Sequence, residues 1–300
     1  APERREFNML IQFEHVNLGL ENGKFTPRPM SDGELADVFT RWQNALGERG
    51  WNALYLENHD QPRSVSRFGD PTAYWRESAT ALATAYFLQR GTPFIYQGQE
   101  IGMLGGALST RADFRDVESL NYLDGREGNE VPTGLAAMSR DNGRTPMQWD
   151  DSPTAGFTSA HPWIGLPPSS SSINVATQIQ DPGSILSYYK ALIDARHRIP
   201  ALTQGTFERI DVGEPALFVY RRHAPDSEVL VMVNLSGTVL TPHFPGPDEA
   251  WMPTRWALYL GNTDVPHSSD SVRMGSDEVH DVSPHDAMGP WEARVYLVAN

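Results

Sequence analysis

Apolar and polar positions alternate between two textures along this chain. From Glu6 the segment Phe7 to His15 gathers β-forming and aromatic residues over about eight positions and ends in charge, the pattern of a mostly buried strand. Leu35, Val38, Phe39, Trp42 and Leu46 then recur at three- and four-residue spacing. They predict a helix opened by Ser31 as N-cap, with Glu34 completing a capping box and Gly50 ending it. Trp51 to Leu56 reads as a second buried strand running straight into Glu57-Asn58-His59-Asp60-Gln61-Pro62-Arg63. Tyr74 to Arg90 is helical in pattern and is stopped by Gly91-Thr92-Pro93, after which a third strand, Pro93 to Gln97, leads into Gly98-Gln99-Glu100. Strand and helix in alternation, with polar residues after each strand, predict parallel βα units whose active site gathers at the strand C-termini.

Residues 103–181 read as loop, held in order by Tyr122, Trp149, Phe157 and Trp163, with Pro167 to Ser172 as a surface turn. Ser184 to Ile199 is a helix with Ile185, Tyr188, Tyr189, Leu192 and Ile193 on its apolar stripe and Pro200 as its stop. Beyond Gly205 the texture becomes short β segments: Thr206 to Ile210, Ala216 to Arg221, Val229 to Asn234, Arg255 to Leu260 and Ala293 to Ala299. Strands at such spacing without helices predict a small antiparallel domain, so the expected division is 1–203 and 204–300.

Composition narrows the function. The chain has 300 residues, 39% hydrophobic and 21% charged, with no cysteine, which excludes a disordered chain and a disulfide scaffold. The longest apolar-leaning run, Ser78 to Leu88, falls short of the roughly 18 residues a membrane span needs. A net charge of −14 repels nucleic acid and anionic lipid, so neither is expected as a partner. Lack of cysteine fits a reducing compartment, and a cytoplasmic location is expected. No spacing of His and Asp suggests a metal site, and Gly102 to Gly106 does not follow a phosphate-loop pattern.

Six runs stand out: Gln12-Phe13-Glu14-His15, Asn58-His59-Asp60-Gln61-Pro62-Arg63, Gly91 through Met103, Arg140-Asp141-Asn142-Gly143-Arg144-Thr145-Pro146-Met147-Gln148-Trp149, Ile173-Asn174-Val175 and Asp181-Pro182-Gly183-Ser184-Ile185-Leu186. Together they resemble the α-amylase superfamily (glycoside hydrolase family 13), most closely its oligo-1,6-glucosidase and α-glucosidase branch. The resemblance implies an α/β fold: strands six to eight of a TIM (β/α)8 barrel followed by a small antiparallel β-sandwich. It also implies that the family's nucleophile and general acid lie upstream of Ala1, as would any calcium site, and that the partner of this chain is the N-terminal portion of the same enzyme. Three strands cannot close a barrel, because each edge would leave backbone groups unpaired.

The activity so implied is that of a retaining, exo-acting α-glucosidase that hydrolyses and transglycosylates short α-glucosides from the non-reducing end. A sucrose isomerase or related glucosyltransferase shares nearly all these motifs, and a non-catalytic scaffold is the alternative of another class. By resemblance Asp60 is the transition-state stabiliser, with His59 beside it and Arg144 approaching the same glucose. An isolated Asn-His-Asp is also an ordinary capped turn, and an arbitrary arginine there could pair with Asp141 or Asp150. Phe13 either walls the sugar site or sits in the core, and Glu118 either lines the acceptor side or is solvated among Arg115 and Asp116. Glu100 either touches sugar or, the favoured reading, is support behind the site, and Trp149 and Trp163 either stack on sugar faces or, again favoured, are buried anchors of their loops.

Overall fold

The structure is a computed structural model describing residues 6–47, 49–126, 130–244, 256–263 and 282–298. Its first part holds β1 (Leu10–Ile11), α1 (Glu34–Leu46), β2 (Asn52–Leu54), α2 (Ser64–Phe68), α3 (Trp75–Phe87) and β3 (Thr92–Pro93). The three strands form one parallel sheet in the order β1-β2-β3, with Leu10 opposite Asn52 and Leu54 opposite Pro93. Parallel neighbours need a crossover, and α1 and α3 provide it after the first and second strands. The close approach of β2 to the turn before β3 requires Gly91 (φ +146°), since a Cβ there would meet the Asn52 carbonyl oxygen at 2.4 Å.

The helices follow their capping chemistry. Helix α1 starts at Glu34 behind Gly33, so Ser31 is not the N-cap, yet half of the expected box exists: Glu34 Oε1 accepts the Ser31 backbone N–H at 2.8 Å. Arg28 engages the same carboxylate, which lies well down, at about 2. The helix ends at Leu46 with Gly47 as its C-cap, earlier than Gly50. The first strand is much shorter than the nine residues of Phe7 to His15, and Leu10 and Ile11 are exposed. There the Gln12 side chain takes over the backbone's role, accepting Glu14 N–H at 2.7 Å and reaching His15 Nδ1 at 2.9 Å.

Residues 103–181 are more ordered than their loop-like text. They contain α4 (Val117–Asp124), α5 (Thr133–Met138), α6 (Val175–Gln178) and a 3₁₀ turn over Arg140–Arg144. Asp116 caps α4 by accepting Ser119 N–H, and Asn174 caps α6 by accepting Thr177 N–H. Such helices are too short to show a periodic stripe. Trp149 and Trp163, expected as buried anchors, are 50% and 60% exposed.

Helix α7 (Ile185–Arg198) is capped by Ser184, and Pro200 ends it while opening α8 (Pro200–Gln204) as its first residue. The strands β4 (Thr206–Ile210), β5 (Leu217–Ala224), β6 (Ser227–Asn234), β7 (Trp256–Gly261) and β8 (Ala293–Val298) form an antiparallel sheet in the order β4-β5-β6-β8-β7. Each of the five expected β segments holds one of these strands, Arg255 and Ala299 of the last two lying outside the described residues, and the described residues place the strands in a single sheet.

One apolar core joins the two parts. Leu82, Tyr86, Tyr188 and Leu192 from α3 and α7 share it with Phe218, Tyr220, Val231 and Val295 from the sheet. Buried polar groups fix the junction: Arg222 donates to the carbonyls of Leu88, Leu202, Gly205 and Thr206, and Asn262 to that of Glu77. These bonds hold the α3–β3 turn, and so the sheet that carries the polar strand ends.

Candidate active site

Strand β2 delivers Glu57 to Arg63 beyond its C-terminal end, and each residue there has a separate task. Asn58 Oδ1 accepts the Asp60 backbone N–H at 2.8 Å, so the capped turn exists. The turn leaves the Asp60 carboxylate outward, 44% exposed, with His59 beside it at 69% and its Nε2 3.4 Å from Asp60 Oδ2. The capped-turn and site readings are therefore compatible: Asn58 makes the turn and Asp60 is displayed by it.

Below the turn lies a buried ion pair that the sequence reading did not single out. Arg63 and Glu57 are almost wholly enclosed, with Arg63 Nη1 3.3 Å from Glu57 Oε2 and donating to the Gln97 carbonyl at 2.7 Å. Glu57 Oε1 also accepts from the backbone and hydroxyl of Ser64, at 2.8 and 2.6 Å. The pair ties the end of β2 to the segment after β3, and its hydrogen bonds offset much of the cost of burying two charges, although Arg63 Nε is left without a partner among the described residues.

The Arg140–Arg144 turn supplies the opposing charge. Gly143 lets it lie against the β2 loop, since a Cβ there would stand 2.5 Å from the Gln61 carbonyl oxygen. Tyr96 from the segment after β3 donates to the Gly143 carbonyl at 2.9 Å. Arg144 Nη2 then reaches Asp60 Oδ1 at 2.9 Å, and its Nε donates to the His59 carbonyl at 2.8 Å. Arg140 Nη1 approaches the same Asp60 oxygen at 3.4 Å. Neither Asp141 nor Asp150 takes Arg144.

Asp116 completes the network. It lies behind the two arginines, 2% exposed, with Oδ1 2.7 Å from Arg140 Nη2 and 3.5 Å from Arg144 Nη1. Burial alone would raise its carboxyl, but the Arg140 and Ser119 hydrogen bonds outweigh that and hold it below the ordinary range. Burial acts the other way on Arg140, where Asp116 first, then Glu118 and Asp60, keep the guanidinium raised. Asp116 owes its position to Asp141, whose carboxylate accepts the backbone N–H groups of Arg115 and Asp116 at 2.9 to 3.1 Å. A residue read as part of a solvated charge run is thus a buried member of the site.

Glu118 sits at the rim. Its Oε2 is 2.6 Å from Lys24 Nζ and 3.7 Å from Arg140 Nε. A cavity of about 420 Å³ opens here, lined by Val16, Asn17, Leu20, Asn22, Gly23, Lys24, Asp60, Gln61, Met138 and Arg140. Asp60, His59, Arg144 and Glu118 are therefore brought together. Phe13 is not part of this ionic group: it is 54% exposed, so not a core residue, and its ring packs edge-on to Tyr55 at 6.0 Å. Glu100 turns back to accept the Gly98 N–H at 2.8 Å, and burial raises its carboxyl. Behind Phe13, His15 is fully buried against Tyr55 at 4.6 Å, and burial, aided by the Arg67 charge, lowers its imidazole to about 3.

Sequence reasoning missed Glu57, Arg63, Asp116, Arg140 and Lys24. The i,i+4 pair Arg140 and Arg144 was the available signal for one of them. No group of three or more His, Asp or Glu side chains among the described residues could hold a metal ion. No helix among them is long and apolar enough to cross a membrane.

The three parallel strands carry an ionised cluster beyond their C-terminal ends, which is where α/β barrels place their active sites. Residues 1–205 match the α-amylase catalytic domain family. The oligo-1,6-glucosidase of Parageobacillus thermoglucosidasius is 41% identical over 99% of this chain and 51% of its own length. That of Halalkalibacterium halodurans is 38% identical over 99% of this chain and 52% of its own. The chain belongs to the α-amylase family, glycoside hydrolase family 13. It spans about half the length of the curated relatives it matches. Among solved structures it superposes on the Bacillus licheniformis trehalose-6-phosphate hydrolase with a TM-score of 0.87, at 32% identity, covering 100% of this chain and 53% of that one. The isomaltulose synthase of Erwinia rhapontici NX5, solved with sucrose, gives 0.83 at 33% identity, covering 99% and 52%.

Proposed function

We propose that this chain forms the transition-state-stabilising side of a retaining, exo-acting α-glucosidase that acts on short α-glucosides from the non-reducing end. Its three parallel strands would be the sixth to eighth of a (β/α)8 barrel, and residues 204–300 would form the C-terminal β domain. The nucleophile and general acid would come from the part of the relatives' length that this chain does not span. Retaining glycosidases need two carboxyls about 5–5.5 Å apart, one to attack the anomeric carbon and one to protonate the leaving oxygen. Asp60, Asp116 and Glu118 are each engaged by arginine or lysine and are given neither role.

The observation that carries the proposal is the state of Asp60. One oxygen is held by Arg144 and Arg140, and the other stands on the exposed side beside His59. A carboxylate fixed in this way accepts hydrogen bonds from sugar hydroxyls without having to reorganise as charge develops. Such bonds strengthen when the ring acquires oxocarbenium character and contribute several kcal/mol to the transition state. Arg144 offers a planar fork to the same sugar while orienting the acid.

A second reading, sucrose isomerisation by glucosyl transfer, is favoured by the likeness to isomaltulose synthase. Proton NMR of reactions with maltose, isomaltose and sucrose separates the two. The α anomer of glucose as first product from maltose or isomaltose supports the hydrolase, and a dominant isomerised disaccharide from sucrose overturns it. The 300 residues alone are expected to leave 4-nitrophenyl α-glucoside intact, and strong activity from them would refute the division of catalytic groups.

A further inference from the structure

Two asparagines of this chain precede a glycine, Asn22 and Asn142, and the fold treats them oppositely. Asn142 is 4% exposed inside the Arg140–Arg144 turn, and its Nδ2 donates to the carbonyls of Ala136, Ala137 and Ser139 at 2.8, 3.3 and 3.1 Å. Gly143 after it is wedged against Gln61, and Tyr96 holds its carbonyl. Asn22 and Gly23 are both exposed, in a bend after β1 that belongs to no helix or strand. Thr26 closes this bend by accepting the Glu21 N–H at 2.9 Å and donating its hydroxyl to the Gly23 carbonyl at 2.8 Å. Among the described residues neither the Asn22 side-chain amide nor the Gly23 N–H has a hydrogen-bond partner. Chain neighbours aside, no atom stands within 4 Å of the place a Gly23 Cβ would take.

We infer that Asn22 is a site of spontaneous deamidation and that the fold spares Asn142. The Gly23 amide nitrogen attacks Asn22 Cγ and forms a new N–Cγ bond, while the side-chain nitrogen leaves as ammonia, carrying the Gly23 amide proton. Water, the one co-reactant, then opens the five-membered imide at either of its C–N bonds. Breaking the new bond gives aspartate, and breaking the original peptide bond gives an isoaspartate link through the side chain. Glycine favours the attack because the missing Cβ leaves its nitrogen unhindered and its backbone free to turn. At Asn142 the same ring requires three hydrogen bonds to break and the Arg140–Arg144 turn to move away from Gln61. Asn22 and Lys24 both line the cavity beside Asp60, so deamidation puts a new carboxylate on that wall. It gives Lys24 a second acid in competition with Glu118, which holds the ammonium at 2.6 Å. The isoaspartate link also lengthens the backbone just before Gly23, whose carbonyl anchors the bend. The inference goes beyond the α-glucosidase reading and does not depend on it.

The test incubates the enzyme carrying this chain at mildly alkaline pH, folded and in urea, and follows both asparagines by peptide mass spectrometry with fragmentation. In the folded protein Asn22 should convert at least about tenfold faster than Asn142, and an isoaspartyl methyltransferase should label the Asn22 peptide alone. In urea only the shared Asn-Gly sequence remains, so the two rates should agree within about threefold. This comparison uses the unaltered protein and so holds even if a variant folds poorly. Asn22→Gln, which would have to close a larger, six-membered ring, should abolish the main acidic species that anion exchange resolves from the aged parent. Equal rates at the two asparagines in the folded protein, or an Asn22 that stays intact when folded and deamidates in urea, overturns the inference. Persistence of the main acidic species in Asn22→Gln places the reaction elsewhere and overturns it equally.

Discussion

Arg144 Nη2 stands 2.9 Å from Asp60 Oδ1, joining side chains 84 positions apart in the chain. The contact depends on two backbones meeting, the β2 loop and the Arg140–Arg144 turn, which touch at Gly143 and Gln61. Arg144 is also the only one of the two arginines whose Nε grips the His59 carbonyl, so it orients the whole Asn58–Asp60 turn.

Arg144→Lys should therefore lower kcat/KM for 4-nitrophenyl α-glucoside by at least about tenfold, because an ammonium cannot hold the His59 carbonyl and the Asp60 carboxylate with one planar fork. Steady-state kinetics of the folded variant measures this. Unchanged kcat/KM would mean that the Asp60 carboxylate keeps its position without Arg144.

Arg63→Met should destabilise the fold by about 3–5 kcal/mol, since it strands Glu57 as an uncompensated buried charge. The double change Arg63→Met with Glu57→Gln should recover a good part of that loss. Urea denaturation of the parent, the Arg63→Met and Glu57→Gln single variants and the double variant tests the coupling, and additive losses would show that the pair is not a unit.

His15 gives a pH dependence with a defined sign. Its folded value, about 3, lies below the unfolded 6.5, so between these limits the unfolded chain binds the extra proton. The stability due to neutral burial is present above about pH 6.5 and is lost as pH falls towards 3, at up to about 1.4 kcal/mol per pH unit. Denaturation midpoints from pH 7 to 4 should fall less steeply in His15→Gln than in the parent. Parallel slopes would show that His15 does not contribute.

Asp60, His59 and Arg144 could be found from the sequence because each lies in a short run whose order survives translation into a strand end or a tight turn. Asp116 could not. Its burial depends on Asp141, 25 positions later, accepting the backbone N–H beneath it, and locally it is one charge in a charged run. Glu57 and Arg63 belong to a legible run, but their pairing is made by the bend of the loop and has no signature of its own in the sequence. The length of the first strand was overestimated for a related reason: apolar residues report burial, while the Gln12 side chain decides where pairing stops. Trp149 and Trp163 fail in the opposite sense, because large aromatics do not have to be enclosed.

The proposed role of Asp60 is to stabilise the glycosyl transition state. Single-turnover and steady-state hydrolysis of 4-nitrophenyl α-glucoside by the enzyme carrying this chain, compared with its Asp60→Asn variant, tests it most directly. Asn keeps the size of the side chain and removes its charge, so kcat should fall at least about a hundredfold with the fold intact. Near-normal turnover in Asp60→Asn would contradict it.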